Sequence, residues 1–229
     1  MLHHLACIMD GNRRWAMRQG LRAFLGHRKG LDAVKLVIDF CLEKKIEYLS
    51  LYTFSIENLK RSEDEQRYLF EVLAQEAFVD LEKLQHKNMR VRFIGDRTLF
   101  PKSVQPVCEK IETETMHCNT LQLNFLLCYG GQQEIISATQ KIVAKVARGE
   151  LQVQDITPAL FENHLWTAGI PSPELIIRTG AQSRLSNFLL YQAAYSELYF
   201  LDCLWPEITA VELNKALNYY IECQKNFGK

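Results

Sequence analysis

Short apolar runs that alternate with longer amphipathic stretches are the feature that most constrains the fold of this chain. The runs are brief enough to be buried strands, and they extend from Leu5 to Met9, Tyr48 to Phe54, Val91 to Ile94, Leu121 to Tyr129, Leu175 to Ile177 and Leu198 to Leu201. Strands joined through crossover helices pair in parallel. The pattern therefore predicts an α/β fold in which a mostly parallel sheet of about six strands carries helices on both faces.

The stretches between these runs have the period of amphipathic helices. Gly26 and His27 open one helix, because Leu31, Val34, Ile38 and Cys41 then share one face. A capping box at Ser62 and Glu65 opens another of about six turns, which is longer than core packing requires, with the apolar stripe Leu69, Leu73, Ala77, Leu81 and Leu84. The remaining predicted helices extend from Pro101 to about Cys118, from Gln133 to Val146, from Pro158 for a short distance, and from Thr209 to about Lys225, whereas Ala16 to Leu25 is predicted to be a mobile connection.

Length and composition favour one domain over residues 1–229. The chain has 229 residues, of which 48% are hydrophobic, and it contains no linker or internal repeat. Its 27 basic and 27 acidic residues balance. No overall field attracts nucleic acid or an anionic membrane, so any anion site has to be built locally.

The cysteines and the absence of long apolar segments indicate a cytoplasmic protein. The seven cysteines form no C-x-x-C pair and mostly lie in apolar runs, as expected of reduced, buried thiols. No basic leader with an apolar core begins the chain, and no segment approaches the roughly 20 apolar residues of a membrane span. Contact with a membrane is expected to be peripheral at most.

The first apolar run ends abruptly in Asp10, Gly11, Asn12, Arg13 and Arg14. Gly11 allows a sharp turn that bares backbone amides, and the arginines suit phosphate. A carboxylate beside them is explained if Asp10 binds a divalent cation, and oxygen ligands suit Mg²⁺. The alternative is an ordinary turn with solvated arginines.

Other polar clusters also follow predicted strands: Ser55 to Arg61, Gly130 with Gly131, and Arg178 to Arg184. Ligands of parallel sheets bind at the carboxyl ends of strands. Arg178, Arg184 and Ser186 are candidates for one diphosphate, with surface salt bridges as the alternative. His27, beside Arg28 and Lys29 at a helix start, is a candidate for a second diphosphate, or else a packing histidine.

Five separated blocks carry a family resemblance: IMDGNRRWA, GHRKG, FSIENLKR, YGG and IRTG…SNFLLYQAAYSELYF. Over His4 to about Trp205 the chain resembles the cis-prenyltransferases, of the undecaprenyl diphosphate synthase type. The resemblance implies condensation of isopentenyl diphosphate onto an allylic diphosphate, such as farnesyl diphosphate, with Z stereochemistry. It also implies a homodimer, and a polyprenyl product such as the undecaprenyl carrier of cell-wall synthesis.

The same resemblance implies the site residues. Asp10 and Asn58 are the catalytic residues, and Asp10 and Glu197 are expected to bind Mg²⁺, although Glu197 precedes its predicted strand. Because an amide is a poor base, we expect Asn58 to orient the substrate while a diphosphate or Asp10 receives the proton. The substrate-binding residues are expected to be Gly11, Asn12, Arg13, Arg14, Trp15, His27, Ser55, Ile56, Glu57, Leu59, Arg61, Arg178, Arg184, Leu185 and Ser186.

The chain departs from the family pattern at several positions. Arg13 replaces a glycine, Leu59 a tryptophan, Gln132 an arginine, and Ala181 with Gln182 a glycine–glutamate pair. Arg22 stands one position earlier in the chain than the corresponding arginine of the family pattern. These changes bear on metal affinity and product length rather than on the type of reaction, and a non-catalytic partner subunit or prenyl diphosphate-binding module of the same fold is the alternative function.

A growing polyprenyl chain needs a deep apolar tunnel. The long helix, Tyr52, Phe54 and the strand from Leu121 to Leu127 are candidates to line it, although the same residues could be ordinary core. With diphosphates at the carboxyl ends of strands, the chain grows toward strand starts. The closed end of the tunnel is therefore predicted at Leu121 or Leu123.

Overall fold

The computed structural model describes residues 1–70 and 81–223. Its sheet contains the six predicted strands, with ends within two residues of those expected: β1 His4–Ile8, β2 Tyr48–Ser55, β3 Met89–Ile94, β4 Leu121–Tyr129, β5 Leu175–Arg178 and β6 Glu197–Phe200.

The sheet is parallel throughout and has the order β3-β4-β2-β1-β5-β6. The α/β architecture predicted from the sequence is thus confirmed. β1 lies between β2 and β5, so that the chain builds the sheet first to one side of β1 and then to the other. The loops that follow β1, β2, β4 and β5 meet at the carboxyl ends of the strands, called the carboxyl edge below, where open α/β sheets bind ligands.

Eight helical segments surround the sheet in the described parts of the chain: α1 Asn12–Arg18, α2 Gly26–Lys44, α3 63–70, α4 Leu81–His86, α5 Gln105–Thr115, α6 Gly131–Ala147, α7 Pro158–Glu162 and α8 Ala210–Glu222. Short 3₁₀ turns complete the connections, among them Ala23–Leu25 and Ile56–Lys60. None of these helices is long and apolar enough to cross a membrane.

The stretch from Ala16 to Leu25, which was expected to be a mobile connection, contains the end of α1 and a 3₁₀ turn. Gly11 has φ 113°, a left-handed conformation that turns the chain from β1 directly into α1. Asn12 and Ala16 are buried against the start of α2. Packing between two helices, rather than the local sequence, therefore orders this segment.

The long helix predicted from Ser62 falls partly outside the described residues. Its first turns are α3, where the backbone N–H of Glu65 donates to Ser62 Oγ at 3.4 Å. Leu84 lies in α4 and is buried. Leu73, Ala77 and the end of the last predicted helix at Lys225 are not described.

Alternating side chains of the strands build a core on each face of the sheet. One core combines residues such as Cys7, Leu51 and Leu123 with buried side chains of α2, α5 and α8. The other contains Ile8 and Leu126, covered by segments near Trp166 and Phe188. All seven cysteines are free, as predicted, and five of them are buried.

A buried polar chain of side chains crosses the sheet at His4. Its Nδ1 donates to the Pro171 carbonyl at 2.6 Å, and its Nε2 accepts from Ser50 Oγ at 2.8 Å. Ser50 Oγ also accepts from Asn124 Nδ2 at 3.1 Å. Burial lowers the pKa of His4 to about 4. The hydrogen bond to the Pro171 carbonyl and the negative charge of Glu174 raise this pKa and so offset part of the effect of burial.

We expect the free energy of unfolding to fall as the pH is lowered from 7 to 5. In this window unfolded His4 binds a proton whereas folded His4 does not, which costs about 2 kcal/mol at pH 5. His4→Gln should reduce this loss by a similar amount in denaturant titrations, whereas substitution of the exposed His117 should leave it in place. If the free energy of unfolding depended on pH equally in wild type and His4→Gln, His4 would not be the cause of the loss.

Candidate active site

Asp10 is the meeting point of the loops at the carboxyl edge. Its Oδ1 accepts from Arg14 Nη2 at 3.1 Å, and its Oδ2 accepts from Arg178 Nη2 at 2.9 Å. Its backbone carbonyl accepts from Thr179 Oγ1 at 2.7 Å and from the Trp205 amide at 2.9 Å. The carboxylate is thus held between two guanidinium groups at the end of β1.

The turn after β5 brings together two of the predicted diphosphate ligands. Arg178 is 4% exposed, and its Nη1 donates to Ser186 Oγ at 2.7 Å and to the carbonyl of Arg184. The Arg184 side chain is exposed, and its Nη1 donates to Gln182 Oε1 at 2.5 Å. The turn thus presents one buried and one exposed guanidinium.

A second cationic group lies between α1, α2 and α3. Arg61 Nη1 donates to Glu65 Oε1 at 3.2 Å, and Arg13 Nε lies 3.6 Å from the same oxygen. Burial, together with the positive charges of Arg61 and Arg13, lowers the pKa of His27 to about 3. His27 is therefore a neutral imidazole at physiological pH, beside two arginines that share one carboxylate.

Two buried polar atoms beside this group have no hydrogen-bond partner in the protein, namely His27 Nε2 and Asn12 Oδ1. Buried polar atoms are rarely left unpaired unless a ligand or water satisfies them. The sequence fits Asn12 closely into the start of α2, because a Cβ at Gly26 would lie 1.9 Å from the Asn12 carbonyl and one at Gly30 would lie 2.3 Å from Asn12 Oδ1. This explains the two glycines of the GHRKG block.

An apolar cavity of about 210 Å³ opens at these polar atoms. Its polar lining includes Asn12, His27, Asn58 and Arg61, together with Lys35 and Thr53, and the rest is largely aliphatic and aromatic. The lining includes, as predicted for a tunnel, Tyr52, Phe54, Leu69, Leu84, Leu123, Phe125 and Leu127, together with Leu31, Val34 and Ile38 of α2. Leu121 is buried but does not line it, whereas Leu123 does so with Val91 and Ile111.

The turn after β2 is closed by its own side chains. The Ser55 backbone N–H donates to Asn58 Oδ1 at 3.1 Å, and the Ser55 side chain accepts from the Asn58 backbone. Of the other predicted ligands here, Leu59 packs against the main core and Glu57 accepts from Asn187 at 2.8 Å. Asn58 thus lines the cavity with an amide group that is already oriented.

Comparisons with known proteins agree with this arrangement. The family model described as putative undecaprenyl diphosphate synthase matches residues 8–228. The chain belongs to this family. The resemblance to the cis-prenyltransferases is thus confirmed, and the alternative of a non-catalytic partner subunit receives no support.

Individual relatives of the undecaprenyl diphosphate synthase family cover nearly the whole chain. A farnesyl-diphosphate-specific ditrans,polycis-undecaprenyl-diphosphate synthase of Xanthomonas axonopodis pv. citri is 42% identical over 98% of this chain and 88% of its own length. Lavandulyl diphosphate synthase from Lavandula x intermedia, solved with dimethylallyl diphosphate, superposes with a TM-score of 0.95 at 32% identity, covering 100% of this chain and 98% of that one. A probable undecaprenyl diphosphate synthase from Campylobacter jejuni gives 0.82 at 33% identity, covering 100% and 99%.

Glu197, the second predicted magnesium ligand, does not lie beside Asp10 within one chain. It is the first residue of β6 rather than a residue that precedes the strand, and it pairs in register with Leu175. Because Phe200 is the residue beside Arg178, Glu197 lies roughly 10 Å from the carboxyl edge. Its neighbours are instead Tyr219 and Cys223 at the end of α8.

The donor set at Asp10 is nevertheless compatible with magnesium. No cluster of three or more His, Cys, Asp and Glu side chains in the described residues could hold a metal ion. Mg²⁺ does not need one, because it is commonly bound by one or two carboxylates together with substrate phosphates and water. Asp10 supplies one partly exposed carboxylate next to the predicted diphosphate sites.

Sequence reasoning missed three side chains that shape this site. Glu65 was predicted only as a helix cap, yet it is the shared partner of Arg13 and Arg61. Gln182 was noted only as a departure, yet it contacts Arg184. Asn187 was not singled out, although it directly follows Ser186 in the SNF block and contacts residues distant in sequence.

Ala181 has φ 55°, in the left-handed region where the family pattern has glycine. We expect Ala181→Gly to stabilise the fold by roughly 0.5–1 kcal/mol, because relief of the side-chain strain outweighs the added freedom of the unfolded chain.

The matched control is Ala159→Gly in α7, an exposed helical position where glycine should destabilise by about 1 kcal/mol. Chemical denaturation measures both variants. A loss of stability in Ala181→Gly would show that the strain is absent.

Proposed function

We propose that this chain condenses isopentenyl diphosphate onto an allylic diphosphate, with Z stereochemistry, to make a polyprenyl diphosphate. One observation carries the proposal: an apolar cavity opens directly at a cationic rim that has unpaired buried polar atoms. A diphosphate joined to a hydrocarbon tail has this same division of polarity. Family membership supports the same reaction.

The allylic diphosphate is proposed to bind where the cavity opens. Arg61 and Arg13 supply charge, and neutral His27 supplies Nε2, which lacks a partner within the protein and donates to a phosphate oxygen in the tautomer that carries its proton there. The start of α2 adds the partial positive charge of a 19-residue helix. The tail then lies in the cavity, where each buried methylene contributes about 0.8 kcal/mol.

Isopentenyl diphosphate is proposed to bind at Arg178, Arg184 and Ser186. Arg178 is already oriented by Asp10 and Ser186, so that little side-chain freedom is lost when a phosphate binds. Magnesium bound by Asp10 would neutralise charge on the departing diphosphate. Asn58 orients the second substrate, and a diphosphate oxygen or Asp10 accepts its proton.

The primer, product and assembly complete the proposal. We propose farnesyl diphosphate as a primer and the undecaprenyl carrier of cell-wall synthesis as the product. The support is that the names of relatives contain farnesyl diphosphate and undecaprenyl diphosphate. A cytoplasmic homodimer, peripheral to the membrane, is proposed as well. Support for the homodimer comes from β6, an edge strand that ends at exposed Phe200 and is preceded by exposed Tyr195.

Condensation of farnesyl and radiolabelled isopentenyl diphosphates by the purified protein tests the proposed reaction. We expect extractable long-chain product that requires Mg²⁺, and a fall in turnover of at least about a hundredfold in Asp10→Asn, because the substitution keeps the shape but removes the charge that faces metal and arginines. Circular dichroism and the thermal midpoint of Asp10→Asn establish that it is folded. Wild-type protein without product from dimethylallyl, farnesyl or geranylgeranyl diphosphate would refute the proposal.

Product length is expected to depend on the far end of the cavity. Leu123→Ala should lengthen the products, because Leu123 with Val91 and Ile111 lines that end, and Leu121→Ala behind it should lengthen them less. Thin-layer chromatography of dephosphorylated products measures the distribution.

Leu213→Ala in α8 is the matched control, since Leu213 is equally buried but does not line the cavity. Each substitution is expected to cost about 2–5 kcal/mol of stability, so only folded variants are compared. If neither Leu123→Ala nor Leu121→Ala alters the distribution of product lengths, the predicted closed end of the cavity is wrong.

A further inference from the structure

Asn187 joins three loops of the active site that are far apart in sequence. Its Nδ2 donates to Glu57 Oε1 at 2.8 Å and to Gln133 Oε1 at 3.0 Å. Its Oδ1 accepts from the Gln132 backbone N–H at 2.8 Å, and its carbonyl accepts from Gly131 N–H at 2.7 Å. One amide side chain thus connects the turn after β5 with the turns after β2 and β4.

The YGG block, which the proposed reaction does not explain, is accounted for by this amide. A Cβ at Gly130 would lie 2.7 Å from Asn187 Nδ2 and 2.3 Å from Gln133 Oε1. A Cβ at Gly131 would lie 2.8 Å from Leu190 Cγ and 3.0 Å from the Leu190 amide. The two glycines therefore let the segment from 187 to 190 lie directly on the start of α6.

The neighbouring Ser186 transmits the position of Asn187 to the proposed diphosphate site. Both residues have left-handed backbones, with φ 52° for Ser186 and 66° for Asn187. Asparagine tolerates this conformation, whereas serine adopts it only when its surroundings hold it. Ser186 Oγ accepts from Arg178, and its carbonyl accepts from Tyr52 Oη at 3.3 Å. The contacts of Asn187 with Glu57 and the start of α6 add to these and fix the backbone directly after Ser186.

The turn after β2 does not depend on Asn187 in the same way. Its own bond between Ser55 and Asn58 closes it, and Arg61 is held separately by Glu65. Loss of the contact between Asn187 and Glu57 should therefore displace the Ser186 side of the site more than the Arg61 side.

We propose that Asn187 is a positioning residue for isopentenyl diphosphate: its amide, bonded to Glu57 and to the start of α6, holds Ser186 and Arg178 in the geometry that binds the diphosphate. The inference rests on the proposed function, since it assigns this turn to isopentenyl diphosphate. It concerns affinity for one of two substrates, and direct binding measurements test it separately from turnover.

Asn187→Asp is the most selective change. It keeps the side-chain shape, tolerance of the left-handed backbone and the acceptor for Gln132 N–H, but it replaces the donor with a carboxylate oxygen that faces Glu57. The dissociation constant of isopentenyl diphosphate, measured by calorimetry, should rise at least about tenfold. The KM of the allylic substrate should change by less than about threefold, as the turn that carries Arg61 is closed independently.

Glu57→Gln combined with Asn187→Asp supplies the rescue. The amide introduced at position 57 can donate to the new carboxylate at position 187, so the pair is restored with donor and acceptor exchanged. We expect the dissociation constant of isopentenyl diphosphate to return to within about threefold of the wild-type value.

Asn88→Asp is the matched control. Asn88 also has a left-handed backbone, with φ 53°, and its Nδ2 donates to Asn119 Oδ1 at 2.7 Å, at the start of β3 on the opposite edge of the sheet. This variant should lose stability without a change in either substrate's affinity.

The outcomes separate this inference from the proposed function. Equal effects of Asn187→Asp on both substrates, an unchanged dissociation constant, no recovery in the double variant, or a wild-type protein that does not bind isopentenyl diphosphate would each overturn the positioning role. Binding with the expected pattern but without condensation would instead refute the reaction and leave the role of Asn187 supported.

Discussion

The pairing of Asp10 with two guanidinium groups is the interaction on which the site depends. Arg178 is almost fully buried, and a buried guanidinium is costly unless it is paired and hydrogen-bonded. Asp10 provides that pairing while its backbone carbonyl accepts from Thr179 and Trp205. The carboxylate thus compensates the charges that a diphosphate needs and, through the same contacts, joins the ends of β1 and β5.

Glu65 has a corresponding role on the other side of the cavity opening. It lies within 3.6 Å of Arg13 and 3.2 Å of Arg61, so the additional arginine of this chain has a carboxylate partner and is not simply added positive charge. Each cationic group thus contains one carboxylate but more than one arginine, so each keeps a net positive charge in a chain whose net charge is zero. The resulting field is local to the carboxyl edge, as an anion site in a neutral protein must be.

Much of this arrangement could be predicted from sequence because it depends on local pattern. The strands are short apolar runs, and the polar clusters after them share an edge once the strands are parallel. The distance of Glu197 from Asp10 within one chain could not be predicted, because it depends on the register of β6 with β5. Asn187 was missed because its contact with Glu57 joins residues 130 positions apart, and α1 because it is ordered by the glycines of α2.

The cavity extends from a charged opening at the carboxyl edge to an aliphatic end near Val91 and Leu123. Head-group chemistry and tail length are consequently encoded by separate sets of residues. Natural variation can alter one property while the other is conserved, because a substitution at the aliphatic end does not disturb the ion pairs. One fold could therefore give rise to enzymes that make lipids of many lengths by the same bond-forming step.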